Sequence, residues 1–298
     1  MALHAVILAG GPGRRFWPWS TPETPKHALP LLAGGRSLFE DTVARLRPLA
    51  PPDRLWLVTS APQAKTLRRL APALKSSRIL VEPEARDTAA AIGLAALRIR
   101  AVDPRAVMLV CPADHRIGSA GRFAAQARLA ARRAALEDVL VTFGIRPDRP
   151  ATAYGWIETG APAGGGFRKA AAFREKPSAP QARRYLRSGN FLFNSGIFAW
   201  KAPVILEALR RNAPALLEGL GRLGPRLAGY GRLPKLSIDY AVLEKSPDVL
   251  VLPAAFPWSD WGTWTAWKSS LPADRNGNRV FGNARLDACW DCTAVGSM

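Results

Sequence analysis

The stretch AGGPGRRFWPWSTPETPK (residues 9–26) follows directly on the apolar run AVIL (residues 5–8). Three glycines, two adjacent arginines and a lysine stand within eighteen residues of what reads as a first β-strand. In an open α/β sheet, ligands bind beyond the carboxyl ends of the strands, and the loop after the first strand is the usual phosphate cradle. Gly10, Gly11 and Gly13 let backbone N–H groups turn toward an anion with no Cβ in the way. Arg15 and Lys26 are placed to neutralise phosphate charge. Neither common template fits. Phe16 occupies the position of the last glycine of GxGxxG, and no GK followed by Ser or Thr completes a Walker loop. Taken alone, the glycine-rich turn is equally well explained as a chain reversal.

The rest of the chain supplies the context. HAVILA, RLWLVT, RILVEP, AVMLVC and DVLVTFGI are short apolar runs rich in β-formers, the pattern of strands buried on both faces. Helical patterns alternate with them. Phe39, Val43 and Leu46 share one face of the first, and Ala91, Leu94, Ala95 and Arg98 repeat at similar spacing in a later one. Repeated β-then-α units predict an α/β fold, a doubly wound and mostly parallel Rossmann-like sheet with right-handed crossovers. After Pro147 the pattern loosens: TAYGWIE and KAAAFREKP read as strands and APVILEALRRN as a helix, extending the sheet and building a lobe over its edge. From Asn276 onward, NRVFGNARLDACWDCTAV suggests short strands after a Gly/Asn turn. The division expected is a main domain over residues 1–275 and a short β segment over 276–298.

Composition narrows the function classes. The chain has 298 residues, 48% of them hydrophobic, enough for a sizeable core. No apolar run approaches the roughly 18 residues of a membrane span, which with the lack of a charged leader predicts a soluble cytoplasmic protein with no membrane partner. The cysteines Cys111, Cys289 and Cys292 form no disulfide framework, and a single CxxC is a poor zinc site. The net charge of +19 invites a polyanionic partner, yet the arginines are scattered among Ala, Leu and Pro instead of gathered in one arm. A small phosphorylated substrate fits this distribution, and nucleic acid does not.

The full string AVILAGGPGRRFWPWSTPETPK resembles the signature LAGGxGxRxxPxSxxxPK of the sugar-1-phosphate nucleotidyltransferases, and its WP pair points to the branch that acts as mannose-1-phosphate guanylyltransferases. EPEARDTAAAIGLAAL, VCPADHRI, FGIRPDRPATAYGWIETG, FREKP, FLFNSGIFAWK, SIDYAVLEKS and WSDWGTWTAW follow in matching order, so the resemblance covers nearly the whole chain. It implies a catalytic domain of the nucleotidyltransferase type with a sugar-binding lobe, followed by the beginning of a β-helix-like segment that is short or truncated at Met298. The implied reaction is attack by the phosphate oxygen of mannose 1-phosphate on the α-phosphorus of GTP, giving GDP-mannose and pyrophosphate. Many negative charges must meet, so catalysis of this kind is mainly positioning and charge neutralisation.

By the same resemblance, Gly10, Gly11, Gly13, Arg15 and Lys26 hold the triphosphate, with Arg15 meeting transition-state charge. Asp114, in PADH after a strand, and Asp260, in WSDWGTW, match the family's Mg2+ positions, and magnesium favours one or two carboxylates plus substrate phosphates. Lys176 corresponds to the grip on the sugar phosphate and Glu175 to an acceptor for sugar hydroxyls, with Gly155, Glu158 and Asn194 completing the hexose pocket. Base and ribose are expected near Gly10, Glu82, Arg86, Asp87 and Thr88. Arg14, His27, Asp87 and Ala90 replace residues customary in the family, which bears on base preference. A homodimer is compatible with the resemblance. The alternatives are a glucose-1-phosphate uridylyl- or thymidylyltransferase, and a non-catalytic homologue that binds nucleotide sugar as a regulatory subunit.

Overall fold

The computed structural model describes residues 2–11 and 16–296. The chain begins with β1 (Leu3–Ala9), α1 (Leu38–Leu46), β2 (Leu55–Ser60), α2 (Ala61–Leu70), β3 (Ile79–Glu82), α3 (Asp87–Val102) and β4 (Val107–Pro112). It continues with β5 (Arg116–Ile117), α4 (Ala120–Leu136), β6 (Leu140–Ile145), β7 (Trp156–Pro162), β8 (Arg168–Arg174), α5 (Ala179–Ser188) and β9 (Phe191–Lys201). The last part holds α6 (Ala202–Asn212), α7 (Pro214–Gly221), β10 (Val249–Pro253), β11 (Trp258–Ser259), α8 (Trp264–Lys268), β12 (Arg279–Phe281) and β13 (Thr293–Val295).

The described residues form a nine-stranded sheet in the order β3-β2-β1-β4-β9-β6-β10-β8-β7. Its first four strands are parallel, as the alternation of strands and helices predicts. The second part is mixed. The eleven-residue β9 runs antiparallel between β4 and β6, β10 pairs parallel with β6, and β7 and β8 close the edge as an antiparallel pair. The β9 and β10 segments are the two strands of this sheet that periodicity did not single out. β9 reaches the middle of the sheet through pairing with β4 and β6, sequence-distant partners, and not through a local signal.

Alternate residues of the central strands feed two cores because both faces of the sheet are covered. On β4, Met108 and Val110 join α3, α6 and α7, while Leu109 and Cys111 join α1, α2 and α4. The alanine-rich face of α3 allows close approach of its neighbours. At Gly93 an added Cβ would lie 2.6 Å from Leu220 and 3.3 Å from Leu209, so glycine sets how near α6 and α7 can come. Helix α1 starts with a capping box in which Ser37 and Glu40 satisfy each other's backbone N–H groups. A third cluster joins the two ends of the chain: Phe16, Leu29, Leu31 and Leu38 pack with Trp261, Trp267 and Phe281. Phe281 belongs to β12, which pairs in parallel with β13, so the final segment rests on the main body through this aromatic contact.

Candidate active site

The glycine loop leaves β1 at the carboxyl end of the sheet. Its backbone is tied down from β2 and α2: the Thr59 hydroxyl donates to the Ala9 carbonyl at 3.0 Å, and Gln63 Nε2 donates to the Gly11 carbonyl at 2.9 Å. At Gly10 a Cβ would stand 3.0 Å from Glu82 Oε2, whereas at Gly11 it would meet nothing within 4 Å. Among the described residues, nothing crowds that position at Gly11. Gly13, Arg14 and Arg15 lie outside the described residues.

Lys26 is buried, and its ammonium faces three protein oxygens: Asp114 Oδ2 at 2.7 Å, the Asp260 carbonyl at 2.6 Å and the Trp261 carbonyl at 3.4 Å. Through these contacts Lys26 joins two aspartate segments far apart in sequence. The short antiparallel pairing of β5 with β11, Ser259 opposite Arg116 and Trp258 opposite Ile117, brings the same two segments side by side.

The electrostatics follow from these contacts. Desolvation pushes the half-buried Asp114 carboxyl up, but the touching Lys26 ammonium, with His115 and His27 beyond it, holds it below the usual carboxylate range. Burial pushes both His27 and His115 down to about 4, so each is neutral at pH 7. His115 Nδ1 accepts a hydrogen bond from Trp258 Nε1 at 3.1 Å, which fixes the ring against the β11 segment. Asp260 Oδ1 accepts from the Tyr154 hydroxyl at 2.7 Å and from the Gly262 N–H at 3.1 Å.

Beside Asp260 opens a cavity of about 200 Å³ lined by Tyr154, Gly155, Glu175, Asn194 and Asp239. A Cβ at Gly155 would lie 2.5 Å from Glu175 Oε2, so a side chain there would have to push that carboxylate aside. Asn194 is fixed from three sides. Its Oδ1 accepts from the Thr142 hydroxyl at 3.1 Å and the Gly196 N–H at 3.2 Å, and its Nδ2 donates to Asp239 Oδ1 at 2.6 Å. Burial and the charge of Glu175 push the Asp239 carboxyl up to about 7. Lys176 does not line the cavity; 64% exposed, with a left-handed backbone (φ 44°), it makes a 3.0 Å ion pair to Glu175, which does. That hydrogen bond to Glu175 raises the ammonium above its ordinary range. Glu158 does not line this cavity; its carboxylate accepts from Asn190 Nδ2 at 3.2 Å.

Across the sheet edge, Glu82 ends β3 and is buried. Arg86 pairs with Glu84 at 2.9 Å. Asp87 opens α3 from a left-handed conformation (φ 64°), and its Oδ1 accepts from the Thr88 N–H at 2.7 Å. The Thr88 hydroxyl accepts from the Ile238 N–H at 2.8 Å, so it latches a later segment of the chain.

Four residues that sequence reasoning did not single out thus belong to the surroundings of this site: Gln63 under the loop, Tyr154 on Asp260, Asp239 in the cavity and Tyr230 on Glu82. Tyr154 and Asp239 lie in quoted strings, FGIRPDRPATAYGWIETG and SIDYAVLEKS, but no spacing marks them. Gln63 and Tyr230 act across long sequence separations and leave no local signal.

A glycine loop at the carboxyl end of a parallel half-sheet thus stands with a lysine-bridged pair of aspartate segments beside a carboxylate-lined cavity. The sequence profile described as Nucleotidyl transferase matches residues 4–275, and the chain belongs to that family. It is 37% identical over 306 residues to the xanthan biosynthesis protein XanB of Xanthomonas campestris pv. campestris (strain B100), covering 98% of this chain and 64% of the relative. It is 35% identical over 311 residues to a mannose-1-phosphate guanylyltransferase of Escherichia coli, covering 97% and 64% respectively. The chain thus spans less than two thirds of the length of these curated relatives. Among solved structures, one described as a mannose-1-phosphate geranyltransferase from Thermus thermophilus superposes with a TM-score of 0.84 at 38% identity, over 95% of this chain and 83% of that one. Among the described residues no helix is long and apolar enough to cross a membrane.

Proposed function

We propose that the chain transfers GMP from GTP to mannose 1-phosphate, forming GDP-mannose and pyrophosphate. The observation that carries this reading is the junction at Lys26, where Asp114 and the Asp260 segment meet next to the cavity of Gly155, Glu175 and Asn194. A relative named mannose-1-phosphate guanylyltransferase aligns with 97% of the chain, which supports GTP and mannose 1-phosphate as the substrates.

In this reading the sugar lies in the cavity, where Glu175 and Asp239 accept from its hydroxyls and Asn194 donates through the second N–H of Nδ2, and Lys176 beside Glu175 meets its phosphate. The backbone of Gly10, Gly11 and Gly13 receives the triphosphate, and Arg15 and Lys26 supply positive charge as the bond between the α-phosphorus and the departing pyrophosphate breaks. Glu82, Arg86, Asp87 and Thr88 border the base and ribose.

Asp114 and Asp260 offer hard carboxylate oxygens, and among the described residues no cluster of three or more His, Cys, Asp or Glu could cage an ion unaided. Such a donor set suits Mg2+, which keeps waters and takes its remaining ligands from substrate phosphates. When bound there it supplies charge neutralisation at the α-phosphate. The chain's own part is to hold the carboxylates in place, Asp114 through Lys26 and Asp260 through Tyr154 and the Gly262 N–H.

The test is pyrophosphate release with each nucleoside triphosphate against mannose 1-phosphate and glucose 1-phosphate. GTP with mannose 1-phosphate is expected to be the best pair. A clear preference for UTP or dTTP overturns the reading.

A further inference from the structure

Each of the two aspartates of the site has one carboxylate oxygen engaged by the protein itself. Asp114 Oδ2 takes the Lys26 ammonium at 2.7 Å, while its Oδ1 accepts no hydrogen bond among the described residues, with His115 Nε2 standing 3.9 Å away. Asp260 Oδ1 takes two donors, the Tyr154 hydroxyl at 2.7 Å and the Gly262 N–H at 3.1 Å, and two donors fill the lone pairs of one carboxylate oxygen. Asp260 lines the cavity, and its Oδ2 accepts no hydrogen bond among the described residues. One oxygen per aspartate is left.

Tyr154 is itself held for this contact. Its ring meets Trp258 and Phe193 edge-on, with centroids 5.6 and 5.0 Å apart. Arg149 Nη2 donates to the Tyr154 oxygen at 3.1 Å, and its Cζ lies 5.6 Å from the ring centroid. Asp148 anchors that guanidinium, accepting from Nη1 with both oxygens at 2.8 and 3.0 Å. A phenol has a single proton, so an N–H arriving at its oxygen leaves that proton for the other partner. Arg149 thereby turns the Tyr154 hydroxyl onto Asp260.

We propose that Tyr154 is a positioning residue that confines Asp260 to ligation through one oxygen and so sets the choice of divalent cation, Mg2+ over Ca2+. This rests on the Mg2+ reading of Asp114 and Asp260 above. Mg2+ is small, demands near-octahedral geometry and is served by single carboxylate oxygens together with waters and phosphates. Ca2+ takes roughly six to eight oxygens at longer distances and makes use of carboxylates that give both. Two aspartates whose other oxygens are tied to Lys26 and Tyr154 suit the first ion and under-supply the second. Without the phenol hydroxyl, only the 3.1 Å Gly262 contact remains on Asp260 Oδ1, and the carboxylate can turn to offer both oxygens.

The experiment is equilibrium titration of the full chain with Mn2+, read as loss of the free-ion electron paramagnetic resonance signal, and then displacement by Mg2+ or Ca2+ with no substrate present. The measured quantity is the ratio of the two displacing concentrations, because ions of equal charge respond alike to a change in the surrounding field. Wild type is expected to release Mn2+ at a lower concentration of Mg2+ than of Ca2+; the reverse order overturns the proposal. Tyr154→Phe keeps the ring between Trp258 and Phe193 and should shift the ratio toward Ca2+ by on the order of tenfold, the scale set by losing a group that orients a metal ligand. Arg149→Gln, at an exposed position, should shift it in the same direction and by less. General loosening of the site would weaken both ions and leave the ratio unchanged, and that result in Tyr154→Phe overturns the proposal. If thermal melting shows Tyr154→Phe unfolded, Arg149→Gln decides alone, and an unchanged ratio there is the refuting result. Mn2+ binding that persists undiminished in Asp260→Asn puts the ion elsewhere and overturns the proposal together with the Mg2+ reading. The expected shift in a chain that releases no pyrophosphate with GTP and mannose 1-phosphate contradicts the proposed activity and leaves the role of Tyr154 standing.

Discussion

Replacing Lys26 by Met keeps the aliphatic stem and removes the charge at the point where the two halves of the site meet. The ammonium makes two short contacts, 2.7 Å to Asp114 Oδ2 and 2.6 Å to the Asp260 carbonyl, and a longer one of 3.4 Å to Trp261. Hydrogen bonds to charged groups contribute about 1.5–3 kcal/mol each, so the two short ones amount to a gross loss of about 3–6 kcal/mol. Two effects reduce it. Asp114 is 38% exposed, so water replaces part of what it loses, and the folded chain no longer has to bury an ammonium. A net destabilisation of about 1–3 kcal/mol remains, a few degrees in Tm for a chain of this size. Activity should suffer more, because the β11 segment loses its tie to Asp114 and positive charge leaves the phosphate site. A fall of about a hundredfold or more in kcat is expected, the scale seen when one charge-stabilising donor is removed. Thermal denaturation and a continuous pyrophosphate-release assay read the two quantities separately. If Lys26→Met melted at or above the wild-type temperature and turned over within a few-fold of wild type, the bridge would be neither a structural tie nor a source of catalytic charge.

Asp114→Asn and Asp260→Asn should each lower the rate by about a hundredfold with the fold retained, and the double variant should lose far less than the product, since both carboxylates serve one ion. Chelation should reproduce the defect and added magnesium reverse it, as followed by pyrophosphate release; near-normal turnover of Asp260→Asn at low magnesium would rule out a shared site. Lys176→Ala should raise the KM for the sugar phosphate with little change in nucleotide affinity, which substrate-varied kinetics will resolve; equal effects on both would move Lys176 off the sugar side. In Gly155→Ala the new methyl meets Glu175 Oε2 at 2.5 Å and must displace it, so the sugar-phosphate KM should rise by about tenfold while GTP binding by titration stays put. Glu82 and Asp239 are both pushed up to about 7, well above the range of about 4 that they have in an unfolded chain. At these two groups the folded chain holds protons between about pH 4 and 7 that the unfolded chain has released, whereas His27 and His115, pushed down to about 4, have released protons that the unfolded chain still holds, so the two pairs oppose each other across this window. Melting temperatures measured across it should show Glu82→Gln and Asp239→Asn each shifting the slope, relative to wild type, toward greater stability with rising pH.

Much of the architecture was legible in the residues themselves. Runs such as AVMLVC declare strands buried on both faces because side chains alternate along a strand and both sides must be apolar, and the helices between them follow the 3.6 period. Those rules concern neighbours in sequence, so they reached the parallel half of the sheet and the loop after β1. They could not place β9, which enters the sheet between β4 and β6 by setting Lys201 opposite Val107 and Ala199 opposite Val141, nor β10 beside β6. The site divides along the same line. Glycines, Lys26, Asp114 and Asp260 stand out by residue type and by family-like strings, but their strings do not say what each side chain touches. Only the folded chain showed Lys26 bridging Asp114 and the Asp260 segment, left Glu158 on Asn190 outside the cavity, and joined Tyr154 to Asp260, Asp239 to Asn194 and Tyr230 to Glu82. Those partners lie far apart along the chain, and hydrogen bonds between such distant groups are chosen by the packing of whole layers and not by local sequence.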